Sequence, residues 1–245
     1  MKLNDDNARV LIYDLEVSDL DADWGHTICI GYKWLDEDEA HVISMTDFKG
    51  WKKDILDDSR LWKEFMKIYN QADLTVGYFN AGFDRPYMYA KLLKHRIAIP
   101  SNVPNIDLFF VAKSNMKLRR KSMDNVTRYL DLQDETIHKT PVGGELWQRA
   151  RIGDPEGIAM VVEHCRADIF LTERLYKLFR PLIRTHPRIN GFGPCRACGS
   201  IKLTRQGYRL TTTQGRQIRV KCSECGSWDA VSQAAFEKKV ERYTA

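Results

Sequence analysis

"ARVLIYDLEV", residues 8–17, decides how the rest of the chain is read. It is an apolar run rich in β-branched side chains, interrupted by Asp14 and Glu16. A strand sends alternate side chains to opposite faces, so these two carboxylates emerge on the same side. Two acids on one face of an otherwise apolar strand are costly to bury without a cation or a hydrogen-bond donor. The stretch predicts a core strand that carries an acidic site.

Working outward, "HTICIGYKWL" after the turn-like "SDLDADWG" and "EAHVISM" after "DEDE" read as two further strands. "SRLWKEFMKIYNQ" reads as a helix, with Leu61, Phe65 and Ile68 at spacings of four and three. "DLTVGYFN" returns to strand, and "RPYMYAKLLKHRI", "NIDLFFVAKSNMKL" and "SMDNVTRYLDL" continue as helices, the last capped by Ser122. A long helix starts at "GDPEG", where Asp154 caps the end and Pro155 fits the first helical position, and runs toward Pro181. Strands first and helices later predict an α/β or α+β domain through about residue 183. "RTHPRINGFGP", residues 184–194, reads as a linker, and residues 195–245 as a second unit.

At 245 residues the chain has room for one ordinary domain and a smaller one. The N-terminus "MKLNDDNARV" lacks the apolar stretch of a signal peptide, and no apolar run approaches the roughly 18 residues of a membrane span. The expectation is a cytoplasmic protein that starts at Met1. Charge is unevenly spread. Residues 184–245 hold 12 Lys/Arg against 4 Asp/Glu, while the net charge of the whole chain is +5. A basic tail on a mildly acidic body points to a polyanionic partner.

Cys195, Cys198, Cys222 and Cys225 form two C-x2-C pairs, each followed by glycine. Two residues between thiolates let both sulfurs of one turn reach a single tetrahedral ion. Between the pairs, "GYRLTTTQGRQIRV" predicts a hairpin turning near Gln214-Gly215, completing a zinc ribbon with a helix after it. Four thiolates close the coordination shell, so this Zn²⁺ is structural. Lys202, Arg205, Arg209, Arg216, Arg219 and Lys221, with Tyr208 and Trp228, supply the cations and aromatic faces used to bind nucleic acid. A ribbon that docks a protein is the alternative. Cys29 and Cys165 lie in apolar segments and read as packing residues.

Two more acids extend the site. "VGYFNAGFDRP" ends its strand with Asp84 at the start of a helix, and "VVEHCRADIFLTERLY", residues 161–176, sets His164 four before Asp168 on one helix face. Taken alone, such a pair marks an ordinary hydrogen-bonded histidine more often than a site. Hard oxygen ligands suit Mg²⁺ or Mn²⁺. Two such ions, about 3.5–4 Å apart, activate a water and stabilise the leaving oxygen of a phosphodiester.

The ordered set Asp14-x-Glu16, Asn80-Ala-Gly-Phe83-Asp84 and His164-x3-Asp168 resembles the DEDD 3′–5′ exonucleases of the ribonuclease H-like (DnaQ-like) superfamily, over about residues 8–183. The resemblance implies a mixed sheet flanked by helices and two Mg²⁺ or Mn²⁺ ions. In it, Asp14, Glu16 and Asp168 hold the metal of the attacking water, with Asp14 bridging to a second that Asp84 supports. Asn80 and Phe83 would position the substrate end. The family's third motif carries either tyrosine four before the aspartate or histidine five before it. His164 is a histidine at the tyrosine spacing, assigned as water-orienting residue or general base.

The resulting expectation is a metal-dependent 3′–5′ exonuclease, on DNA rather than RNA, whose ribbon grips nucleic acid. A replication or repair protein is the partner a proofreading role would require. A structure-selective endonuclease on the same fold and an inactive nucleic-acid-binding protein are the alternatives. "KSNMKLRRKSM", 113–123, reads equally as a strand-binding groove or a solvated loop. "HKTPVGGELWQRARIGDP" reads as a plain connection, the alternative being a mobile loop over the active site with Lys139 or Trp147 touching substrate.

Overall fold

The computed structural model describes residues 9–100, 103–138, 143–183, 186–187, 195–212, 215–234 and 236. The chain divides into two compact units, Arg9–Tyr176 and Lys177 onward. Among the described residues, no helix is long and apolar enough to cross a membrane.

The first unit holds a five-stranded mixed sheet of β1 (Val10–Val17), β2 (Thr27–Trp34), β3 (His41–Ser44), β4 (Leu74–Gly77) and β5 (Asn105–Asp107), in the order β3-β2-β1-β4-β5. β1, β2 and β3 pair antiparallel, while β4 and β5 run parallel to β1. The helices are α1 (Ser59–Tyr69), α2 (Asp84–Lys94), α3 (Leu108–Asn115), α4 (Met123–Tyr129), α5 (Gly144–Arg151) and α6 (Pro155–Phe179). The mixed sheet flanked by helices is the expected one.

Two expectations need correction. "NIDLFFVAKSNMKL" is not helical throughout: Asn105–Asp107 joins the sheet, and α3 begins only at Leu108, capped by the Asp107 side chain. Three residues are too few to show a period of two, so their pairing with Thr75–Gly77 is invisible in sequence. The stretch read as a plain connection contains α5, which packs Trp147 and Ala150 against Ile158, Val161 and Cys165. Lys139 lies outside the described residues, as do most of the linker and the C-terminal helix.

Leu11, Tyr13 and Leu15 face one side of the sheet and meet Leu61, Trp62, Phe65 and Tyr69 of α1 and Met88 and Leu92 of α2. The opposite side takes α6. Gly31, paired with Asp14 across the ladder, is what admits it. A Cβ on Gly31 would lie 2.7 Å from Cys165 Sγ and 2.9 Å from Ile169 Cγ1. Further along, Lys33 of β2 binds Glu173 of α6 at 2.7 Å with both side chains buried, and Glu173 also accepts the Asp36 amide at 3.0 Å. Asp154 starts α6 by accepting the Gly157 amide at 3.0 Å. Gly31→Val is therefore expected to overpack this seam, displace α6 and cost about 1–3 kcal/mol of stability. An unchanged thermal midpoint would remove this account of the seam.

The second unit contains a three-stranded antiparallel sheet, β6 (Leu203–Thr211), β7 (Gly215–Cys222) and β8 (Trp228–Ser232), in that order. The hairpin was expected and the third strand was not; the expected turn residue Gln214 lies outside the described residues. Ile218, Val220 and Val231 form its small buried core, with Leu203 and Phe236 packed against it.

Candidate active site

Asp14 and Glu16 leave β1 on the side that α6 covers, opposite Gly31 and Cys29 of β2. Pairing shifts register between Glu16 and Val17, an irregularity of the kind that re-aims side chains beside functional sites. On α6, the i, i+4 spacing brings His164 and Asp168 to the same place. His164 Nε2 lies 3.7 Å from Asp168 Oδ2 and 4.0 Å from Glu16 Oε1. Glu16, His164 and Asp168 are buried and Asp14 is half-buried. One ligand atom each from Glu16, His164 and Asp168 lies within 4.8 Å of the others, and Asp14, Glu16 and Cys165 form a second such group.

Trp147 of α5 presents its ring edge-to-face to His164, with centroids 6.3 Å apart at 82°. This half-buried aromatic therefore belongs to the wall of the site. Cys165 sits beneath the acids and does not resemble a ligand. Its hydrogen bond with Cys29, together with burial, pushes its thiol well above the usual range. The neutral S–H points at the Asp14 carbonyl, 3.9 Å away.

Asp84 arrives from the other side of β1. β1 pairs with β4 from Val10–Leu74 to Ile12–Val76, and beyond it the Leu15 amide donates to Asp84 Oδ1 at 3.0 Å. Burial, opposed by hydrogen bonds such as that from Leu15 and aided by the charge of Asp107, pushes the Asp84 carboxyl up to about 7. A nearby cation would favour its ionised form. Asp84 borders the acidic groups without entering either of them.

Asn80 and Phe83 occupy different surroundings from those of the acids. Asn80 is fully buried, and its carboxamide exchanges two hydrogen bonds with Asn105, at 2.7 and 3.1 Å. In this arrangement it shapes the β4–α2 loop from below. Phe83 packs on the α1/α2 core, its ring 5.7 Å from that of Tyr87. Asp107, which sequence reasoning passed over, clamps the same loop by accepting the Phe79 and Ala81 amides, each at 2.9 Å. Its one sequence signal is an acid placed to cap α3.

Three carboxylates and an imidazole gathered at a largely buried point fit a divalent cation of the Mg²⁺ or Mn²⁺ kind, since oxygen donors predominate. In the second unit the four sulfurs of Cys195, Cys198, Cys222 and Cys225 lie within 4.8 Å of one another. Cys195–Cys225 and Cys198–Cys222 are each separated by 3.6 Å, far beyond the length of a disulfide and suited to a shared tetrahedral ion.

The basic residues of this sheet group around two aromatics. Arg216 and Arg205 lie over Tyr208, at 3.5 and 4.6 Å, and Arg219 and Lys221 over Trp228, at 4.6 and 5.7 Å. Tyr208 pairs with Ile218 and Trp228 with Lys221, so the two clusters occupy opposite faces. On the Trp228 face, Arg196, Arg209, Gln217 and Arg219 help line a cavity of about 540 Å³. Lys202 is tied to Glu224 at 2.5 Å.

A family model described as the RNase_H superfamily matches residues 11–180, more than two thirds of the chain and a span that includes every one of these acids. No curated protein matches the chain. With the sheet order and the clustered carboxylates, the match has one consequence: the chain belongs to the RNase_H superfamily, whose members use divalent metal ions and whose fold suggests a metal-dependent nuclease.

Proposed function

We propose that this protein is a DEDD-type 3′–5′ exonuclease, acting on DNA in preference to RNA, with a structural zinc ribbon that grips nucleic acid. The observation that carries the reading is the meeting of Glu16 with His164 and Asp168, from opposite ends of the domain, beside Asp14. Within this proposal the catalytic domain runs to about residue 183, the linker covers 184–194 and the ribbon 195–245.

Asp14, Glu16 and Asp168 would hold one Mg²⁺ or Mn²⁺, and Asp14 and Asp84 would help to hold a second. Such ions, when bound, would supply activation of a water and stabilisation of the departing oxygen of the phosphodiester. His164 faces the carboxylates and takes the proton of the attacking water, while Trp147 holds its ring edge-on. Asn80 and Asp107 act as positioning residues, fixing the loop that delivers Asp84. On the ribbon, Arg209, Arg219 and Trp228 meet phosphates and bases.

The test uses 5′-labelled single-stranded DNA with Mg²⁺ or Mn²⁺, and a single-stranded circle in parallel. A ladder shortening from the 3′ end with an intact circle supports the reading; cleavage of the circle points to an endonuclease. His164→Ala is expected to cut turnover by about 10²–10⁴-fold with divalent-ion binding retained. Unchanged turnover in the variant would return His164 to a structural role.

A further inference from the structure

Phe79 stands apart from every other aromatic in the first unit. Its φ is +66°, in the left-handed region, where a bulky side chain is an outlier. Yet its ring is 43 % exposed, so the core does not account for the conformation. The backbone is held there from three directions. Its amide donates to Asp107 at 2.9 Å, and its carbonyl accepts the amides of Gly82 and Phe83, each at 3.0 Å. Gly82 leaves room for the ring, since a Cβ there would lie 2.6 Å from it. Backbone strain maintained in this way concentrates at functional sites.

The ring joins a surface cluster. Phe79 meets Phe109 edge-on at 4.9 Å and Phe110 at 6.3 Å, and Phe110 is itself 44 % exposed. The cluster stands at the carboxyl end of β4, the strand beside β1, on the loop that leads into Asp84. Cations adjoin it. Lys113 lies 5.9 Å from the Phe110 ring, and Lys117, Arg119 and Arg120 follow, exposed and without an ion pair to any described carboxylate. Tyr78, next to Phe79, donates its hydroxyl to the Lys121 carbonyl at 2.6 Å, which ties the basic segment to the β4–α2 loop.

Exposed rings beside a row of unneutralised cations are the combination that binds unpaired nucleotides, bases on the rings and phosphates on the cations. We infer that Phe79, backed by Phe109 and Phe110, is a base-stacking platform for the single strand entering the site, with Lys113 to Lys121 following its phosphates. This rests on the nuclease reading above and adds a specificity-determining residue to it. It also chooses between the two sequence readings of "KSNMKLRRKSM", in favour of a strand-binding segment.

Phe79→Gly is the informative variant, because glycine accepts a positive φ freely and removes the ring without adding strain. Binding of a fluorescein-labelled oligothymidylate and of an abasic strand of equal length is followed by anisotropy, in an Asp14→Asn background that prevents hydrolysis. Phe79→Gly is expected to weaken binding of the base-bearing strand about tenfold, and of the abasic strand hardly at all. Phe79→Tyr should bind like the parent. Equal affinities of Phe79→Gly and parent for oligothymidylate would overturn the inference, as would equal losses on both strands. A thermal midpoint for Phe79→Gly at or above that of the parent confirms that the fold is intact. The nuclease reading fails on a separate result, hydrolysis that persists in Asp168→Ala.

Discussion

Asp168→Ala is expected to lower hydrolysis of a labelled single strand at least about a thousandfold, the scale set by removing a group that holds charge-stabilising machinery in a buried site. Asp168 is buried, stands 3.7 Å from His164 Nε2 and shares a metal-sized group with Glu16. Its neighbours Cys165 and Ile169 make the helix–sheet contact at Gly31. Removing one of the two carboxylates in that group also relieves repulsion between like charges at low solvent exposure. Asp168→Asn, measured without added divalent ion, should consequently melt no lower than the parent. Loss of activity with retained or increased stability is the signature of a residue kept for function. Turnover within a few fold of the parent would remove Asp168, and with it the two-metal reading.

Cys222→Ser is expected to have an effect of comparable size on the other unit. Among the described residues, the sheet β6–β7–β8 buries Ile218, Val220 and Val231 as a core, with Leu203 and Phe236 against it, little apolar surface to offset the ordering of its strands. If the four-sulfur site takes Zn²⁺, as proposed, it supplies the difference, since structural Zn²⁺ in small domains contributes on the order of 10 kcal/mol to folding. The parent should carry one Zn²⁺ per chain. In Cys222→Ser the stoichiometry should fall and the amides of β6–β8 should lose hydrogen-exchange protection, while those of β1, β2 and α6 keep theirs. Full protection of the ribbon without zinc would show that the sheet stands on its own packing.

Residues with a strong local pattern were legible early. β1 is an apolar run whose period of two places Asp14 and Glu16 on one side. α6 has a capping aspartate, a proline at its first position and an i, i+4 pair that carries His164 and Asp168 together. The C-x2-C pairs state their own geometry through ligand spacing. Each of these rests on distances of a few residues along the chain, which backbone geometry converts directly into shared faces.

The remaining features came from contacts between distant segments, which no local period encodes. β5 is a strand only because Asn105–Asp107 finds β4, and β8 only because it finds β7. The motif residues Asn80 and Phe83 turn inward, because Asn105 completes the carboxamide pair and the α1/α2 core accepts the ring. Phe79, which no motif singles out, is left facing outward by the amide that Asp107 holds. From sequence alone, this protein's core strand β1 and its four-cysteine cluster were determined, because periodicity and ligand spacing are local. Tertiary structure alone decided which aromatic meets solvent, which polar groups are sealed beneath the loop and how closely α6 approaches Gly31. Those outcomes depend on hydrogen bonds and packing across separations of 25 residues and more, including the 134 that divide Gly31 from Cys165.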